Sequence, residues 1–210
     1  MTIPQRRRSE SAPRLRKGER RRQLLSHAKH LFVTLGYHAT TTEKIATAAG
    51  VSEPVLYRHF DSKKALFLEV LGEIREATIE RWKTETVHLS DPLAKLHAIS
   101  ELYLGTTREH ALEFSVMHRA LLESDDEEVL AMLRGFYLDS EELLAGVIAE
   151  GQQSGVFRRS LDPRVGAWEL IRTALGYTLT LPLGLPLYQE PDYLARAIEC
   201  MLHCLIKTDV

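Results

Sequence analysis

Helix start and stop signals follow one another so closely between Gly36 and Asp61 that only two short helices fit there. Upstream, Leu24, Leu25, Ala28, Leu31, Phe32 and Leu35 recur at the helical period, and Gly36 stands where a helix C-terminus needs a residue free to turn left-handed. Thr40-Thr41-Thr42-Glu43 then offers a capping hydroxyl with Glu three residues on. Ile45, Ala46 and Ala49 share one face until Gly50 stops this helix after about two turns. Val51 fills the corner, Ser52 is placed to cap the next helix, and Pro54 in its first turn lacks only an amide hydrogen that would have had no helical partner. The spacing predicts a third helix over Glu53–Phe60 with Leu56 and Phe60 inward and Glu53, Pro54, Val55, Tyr57, Arg58 and His59 facing out. A bracing helix, a short helix, a glycine corner and a second short helix form a helix-turn-helix, and the outward set supplies hydroxyl, guanidinium and imidazole donors suited to a phosphate-lined groove.

Charge points the same way. Residues 1–64 carry 14 Lys or Arg against five Asp or Glu, and the remaining 146 carry 13 against 24, so a head of net +9 is joined to a body of net -11. A positive head on a negative body suits a polyanion at one end only. With 210 residues, 44% hydrophobic and 27% charged, the chain is long enough for a small module and a mid-sized one.

Three segments are expected: a disordered basic arm over residues 1–18, a DNA-binding head over 19–66, and a body over 67–210. The arm carries Arg6, Arg7, Arg8, Arg14, Arg16 and Lys17 and almost nothing apolar to bury. Asp61-Ser62 caps a long fourth helix to about Thr84, with Leu66, Val70, Ile74 and Ala77 inward. Asp91-Pro92, Asp126, Asp162-Pro163 and Pro191-Asp192 open later helices. No strand-like alternation occurs, so the fold class is all-α with about nine helices. No apolar stretch follows the arginines, and the longest uncharged run, Thr173–Gln189, is broken by Gly176, Pro182, Gly184 and Pro186. No membrane span and a cytoplasmic location are therefore expected. The two cysteines, Cys200 and Cys204, lie with His203 on a stretch read as buried helix, where thiols pack as small hydrophobes, so no metal is assigned. Neither a Gly-rich phosphate loop, a Gly-x-Ser-x-Gly elbow nor a His-Glu-x-x-His pair is present, and no catalytic residue or cofactor is assigned.

The run from Thr40 through Gly50-Val51-Ser52 to Phe60-Asp61-Ser62-Lys63-Lys64-Ala65-Leu66 resembles the DNA-binding signature of the tetracycline-repressor family of bacterial regulators, and with the first helix the likeness spans roughly residues 19 to 70. The resemblance implies phosphate contacts at Thr41, Thr42, Tyr57, His59 and Lys63. It implies base reading at Glu53, Pro54 and Val55, with Arg58 a further reader and Ser52 on the same surface. Glu43 departs from an easy DNA contact and suits a cap.

One such head spans too few base pairs for specificity, so a two-fold dimer on a near-palindromic operator is expected. The last two helices are apolar on more than one face, and the resembling family joins them into a four-helix bundle between chains. Trp168, Ile171, Leu175, Leu179, Ile198, Met201, Leu202 and Leu205 are the expected interface. Helices five to eight would enclose a small, largely apolar effector lined by Tyr103, Phe114, Met117, His118, Phe136, Trp168 and Tyr177, releasing the repressor from DNA when bound. The alternative is an architectural or activating DNA binder without an effector.

Overall fold

The computed structural model describes residues 16–104, 108–190 and 192–203, with backbone alone for 108–113. The described residues form nine α-helices and no strand: α1 (Lys17–Ala39), α2 (Thr42–Ala48), α3 (Glu53–Tyr57), α4 (Lys63–Thr86), α5 (Pro92–Leu104), α6 (Arg108–Glu123), α7 (Glu127–Gln153), α8 (Pro163–Thr180) and α9 (Tyr193–His203). Two 3-10 turns, Leu181–Leu183 and Pro186–Gln189, link α8 to α9. The expected arm lies outside the described residues except for its last three, and Lys17 already begins α1.

Local chemistry explains the head. Gly36 is buried at φ 80°, a conformation that strains any residue with a Cβ, and it breaks α1 so that the chain can turn back towards α2. Thr40, expected as a cap, is instead fully buried, its hydroxyl bridging the Leu31 carbonyl at 3.1 Å and the Gly36 carbonyl at 2.7 Å. The α2 cap falls one residue later, where Thr41 accepts from the Lys44 amide at 3.2 Å. Ser52 precedes α3 without making a side-chain cap. α3 stops at Tyr57 rather than Phe60 because the last turn tightens, His59 donating to the Leu56 carbonyl at 2.9 Å.

α4 is capped by Ser62 as expected, the Ala65 amide donating to it at 3.0 Å. Its buried stripe is Leu66, Phe67, Val70, Leu71, Ile74, Thr78, Ile79 and Trp82. Ala77, expected inward, is exposed, and Thr78 takes its place. α4 approaches α7 closely where Gly135 leaves a notch for the Arg75 guanidinium; a Cβ there would collide with Arg75 Nη1, and Arg75 Nε donates to Asp139 at 2.6 Å. Nearer the head, Lys64 donates to Glu128 at 2.7 Å and to Asp126 at 3.1 Å. One continuous apolar core runs from Leu24 and Phe32 in α1 through Leu71 and Ile74 to Ile148, Leu170 and Leu202 in the body.

Candidate nucleic-acid interface and effector cavity

Leu56 and Phe60 anchor α3 in the core, which leaves Ser52, Pro54, Tyr57 and Arg58 exposed and Glu53, Val55 and His59 partly so. Thr42 ties the two short helices together: its hydroxyl donates to the Glu53 carboxylate, and the Tyr57 hydroxyl lies 3.3 Å from it. Three of the expected contact residues, Thr42, Glu53 and Tyr57, are thus joined, and Thr41 is exposed beside them.

His59 carries a buried Nδ1 with no hydrogen-bond partner. Burial, and then the positive field of Lys17, Arg21, Arg58 and Arg20, hold its pKa below the ordinary imidazole value, which favours the neutral ring. That field maps a basic rim: the first turns of α1 stand beside the end of α3. Sequence reasoning missed Lys17, Arg20 and Arg21 as part of this surface, although the run Arg20-Arg21-Arg22 was the signal. Arg21 is held in place by Glu69 of α4 and lies 4.6 Å from the centre of the Phe60 ring.

Lys63 is placed differently from the rest. Its ammonium donates to the Tyr37 and Thr40 carbonyls, both at 3.0 Å, and sits 4.1 Å from the centre of the Tyr37 ring, while burial lowers its pKa. In this conformation it pins the end of α1 to the start of α4, and a phosphate would compete with those bonds.

A second concave site lies in the body, a cavity of about 40 Å³ among α4, α5, α7, α8 and α9. Of the seven expected lining residues, Tyr103 and Phe136 reach it. Phe114 packs behind them, its ring 4.4 Å from Tyr103 and 6.4 Å from Phe136, and Met117 and His118 are buried on the same helix. Trp168 stands behind Tyr137 with its indole N–H donating to the buried Glu141 at 2.7 Å. Tyr177 is not in the lining: its ring stacks with Tyr193 and packs at a tilt against Tyr188. Trp82, Ser100, Tyr137 and Ser140 line the cavity and were not foreseen. Ile171 and Met201, expected between chains, line it too, and Ile171, Ile198 and Leu202 are buried inside the single chain. Trp168 and Leu175 pack against the core, Leu179 is exposed, and Leu205 lies outside the described residues. Cys200 is exposed rather than buried, and Cys204 lies outside the described residues.

Burial lowers the pKa of His118 to about 4, and the Tyr103 hydroxyl lies 3.0 Å from its Nε2. The unfolded chain takes up this proton near pH 6.5, whereas the folded ring resists it until about 4. The contribution of His118 to stability is therefore full above about 6.5 and is lost as the pH falls through 4, a difference of about 3 kcal/mol. Thermal melts of the parent and a His118→Gln variant from pH 7 to 4 check this: the parent should lose more stability over that range, and parallel curves would refute it.

The sequence profile described as "Bacterial regulatory proteins, tetR family" matches residues 24–70, which hold most of α1 and all of α2 and α3. Over 168 residues, 74% of this chain and 80% of the relative, the chain is 31% identical to the HTH-type transcriptional repressor KstR2 of Rhodococcus jostii. The chain belongs to the tetR family. This tetR-family protein is a DNA-binding transcriptional regulator with a helix-turn-helix head and a helical body. Its head is 57% identical over 58 residues to the HTH-type transcriptional activator FasR of Mycolicibacterium smegmatis, a match covering 28% of this chain and 26% of that one. Its fold matches, with a TM-score of 0.84 and 26% identity, a candidate transcriptional regulator from Saccharomonospora viridis solved in complex with choline, over 91% of this chain and all of that one. Among the described residues no helix of this tetR-family chain is long and apolar enough to cross a membrane.

Proposed function

We propose that the chain is a ligand-responsive repressor that binds a near-palindromic operator as a homodimer, acts in the bacterial cytoplasm and carries out no catalysis. The observation that carries this reading is the exposed α3 face bounded by cationic α1. In it Thr41, Thr42, Tyr57 and His59 meet phosphates, Ser52, Glu53, Pro54, Val55 and Arg58 face base edges, and Lys63 acts by holding the head rigid. The head runs from Lys17 to about Leu66 and the body from residue 67 onward. An activating mode is the second reading, favoured by the identity of the head to FasR.

The body supplies the effector site and the dimer contact. A cavity of about 40 Å³ is far below the roughly 300 Å³ of a drug-sized pocket, so any larger occupant must displace its walls. One wall is Trp82 of α4, the helix that carries the head, which couples occupancy to head position. For the dimer, the end of α8 and the two 3-10 turns expose Leu179, Leu181, Leu183, Leu185 and Leu187, apolar side chains that a second copy would cover.

Selecting bound sequences from random duplex DNA, then titrating the winner with and without small molecules, tests the reading. Recovery of no preferred palindrome would refute it. The arm gives a sharper measurement. Deleting residues 1–15 removes Arg6, Arg7, Arg8 and Arg14 without touching α1. The melting temperature should hold, while operator affinity drops and the slope of log K against log salt becomes shallower by about 0.9 for each phosphate that the arm had neutralised. An unchanged slope would mean that the arm touches no phosphate.

A further inference from the structure

Tyr137 is unusual among the buried polar groups. It is 9% exposed, lines the body cavity, and its hydroxyl is buried without a hydrogen-bond partner in the protein. The neighbouring Tyr103 hydroxyl differs, since it already meets His118. The cavity of about 40 Å³ exceeds the roughly 10–15 Å³ that one water needs, so a water can serve the Tyr137 hydroxyl until something displaces it. A displacing molecule that cannot restore that bond loses affinity, and one that can restore it keeps the gain from burying its apolar part.

The surroundings say what else the molecule must be. Among the described residues, no lining side chain carries a charge: beside Trp82, Tyr103, Phe136 and Tyr137 the walls are Ile99, Leu104, Leu144, Leu170, Ile171, Ala174 and Met201, with the hydroxyls of Ser100 and Ser140. The Ser140 hydroxyl donates to the Phe136 carbonyl at 2.8 Å. Among these described walls an anion would find no cation, and an ammonium would find no carboxylate. The aromatic faces give a desolvated cation roughly 2 kcal/mol, against several for removing an unpaired charge from water. The protein's own groups respond in the same sense: burial drives His118 down to about 4 and pushes Tyr137 up to about 12, so the region disfavours both signs of charge.

We infer that the effector is a compact uncharged molecule with an apolar body and an oxygen that accepts a hydrogen bond from Tyr137, which makes Tyr137 the specificity-determining residue of the cavity. This deepens the ligand-responsive reading above and rests on it.

The test uses the full-length protein and four probes of one shape: neohexanol, its trimethylammonium isostere, tert-butylacetate, and neohexane, which lacks the oxygen. Calorimetric titration of the parent should rank neohexanol first. Tyr137→Phe should weaken neohexanol about fivefold to tenfold, the value of one hydrogen bond, and change neohexane less than about twofold. Thermal melts and helix content of the variant show that it is folded. Equal binding of neohexanol and neohexane, or no loss in Tyr137→Phe, would overturn the role of Tyr137 while leaving the cavity an effector site. Tighter binding of either charged probe would overturn the uncharged class. Binding of none of the four would refute the cavity as an effector site, and this inference with it.

Discussion

Replacing Leu183 and Leu187 together by glutamate should leave the helix content intact and convert the protein to a monomer at micromolar concentration. The two side chains are 68% and 48% exposed, so in one chain the new carboxylates stand in water and strain nothing. Under a second copy they would be buried without partners, at several kcal/mol each, and two-fold symmetry doubles the number. Operator recognition needs two heads held together. Losing the link removes the avidity of the second head, so operator affinity should fall by about a hundredfold or more. Sedimentation velocity beside an operator titration measures both effects. A fully dimeric double variant with parental affinity would place the interface on another surface.

Leu202→Glu should behave in the opposite manner. Leu202 is fully buried within its own chain. A glutamate there forfeits about 2 to 5 kcal/mol of packing and adds an unpaired carboxylate in the core, together comparable with the roughly 5 to 15 kcal/mol that holds an ordinary domain folded. Thermal melts followed by circular dichroism should show a Tm lowered by more than about 10 °C or no cooperative transition at all. A Leu202→Glu protein that melts like the parent but sediments as a monomer would return Leu202 to the space between chains.

The contrast between these two variants shows what the sequence could convey. Much that depends on a few neighbouring residues was legible: Gly36, the Ser62 cap, Pro54 and the inward Leu56 and Phe60 lie where local signals put them. Errors there were one register step, as at Thr40 and at Ala77 against Thr78. Periodicity in α8 and α9 correctly marked apolar stripes, but a stripe does not tell which neighbour will cover it. Ile171, Ile198 and Leu202 face their own chain, whereas the exposed Leu181, Leu183 and Leu187 lie in the short 3-10 turns, where no helical period exists to reveal them. The cavity was half legible for a similar reason. Tyr103 and Phe136 stood out as aromatic residues on body helices, but Trp82 belongs to the fourth helix, outside the helices five to eight expected to enclose the effector, and Tyr137 differs from Tyr177 in which side of its helix it occupies. The exposure of Cys200 was hidden in the same way, because it depends on how α9 is turned.

The seating of Arg75 in the Gly135 notch gives α4 a fulcrum. Lys63, which fastens the head, lies 12 residues before it and Trp82 seven residues after it, which at about 1.5 Å per residue makes arms of about 18 and 10 Å. A first-class lever of those proportions multiplies travel about 1.7-fold and reverses its direction. The indole needs to yield only about 1 Å for the head to swing by nearly twice as much. The half-exposed Lys64 pairs with Asp126 and Glu128 resist such a swing only weakly. In a two-fold dimer, two heads moving in opposite senses would alter their separation by some 3 to 4 Å, about a tenth of the roughly 34 Å that separates successive turns of the same DNA groove.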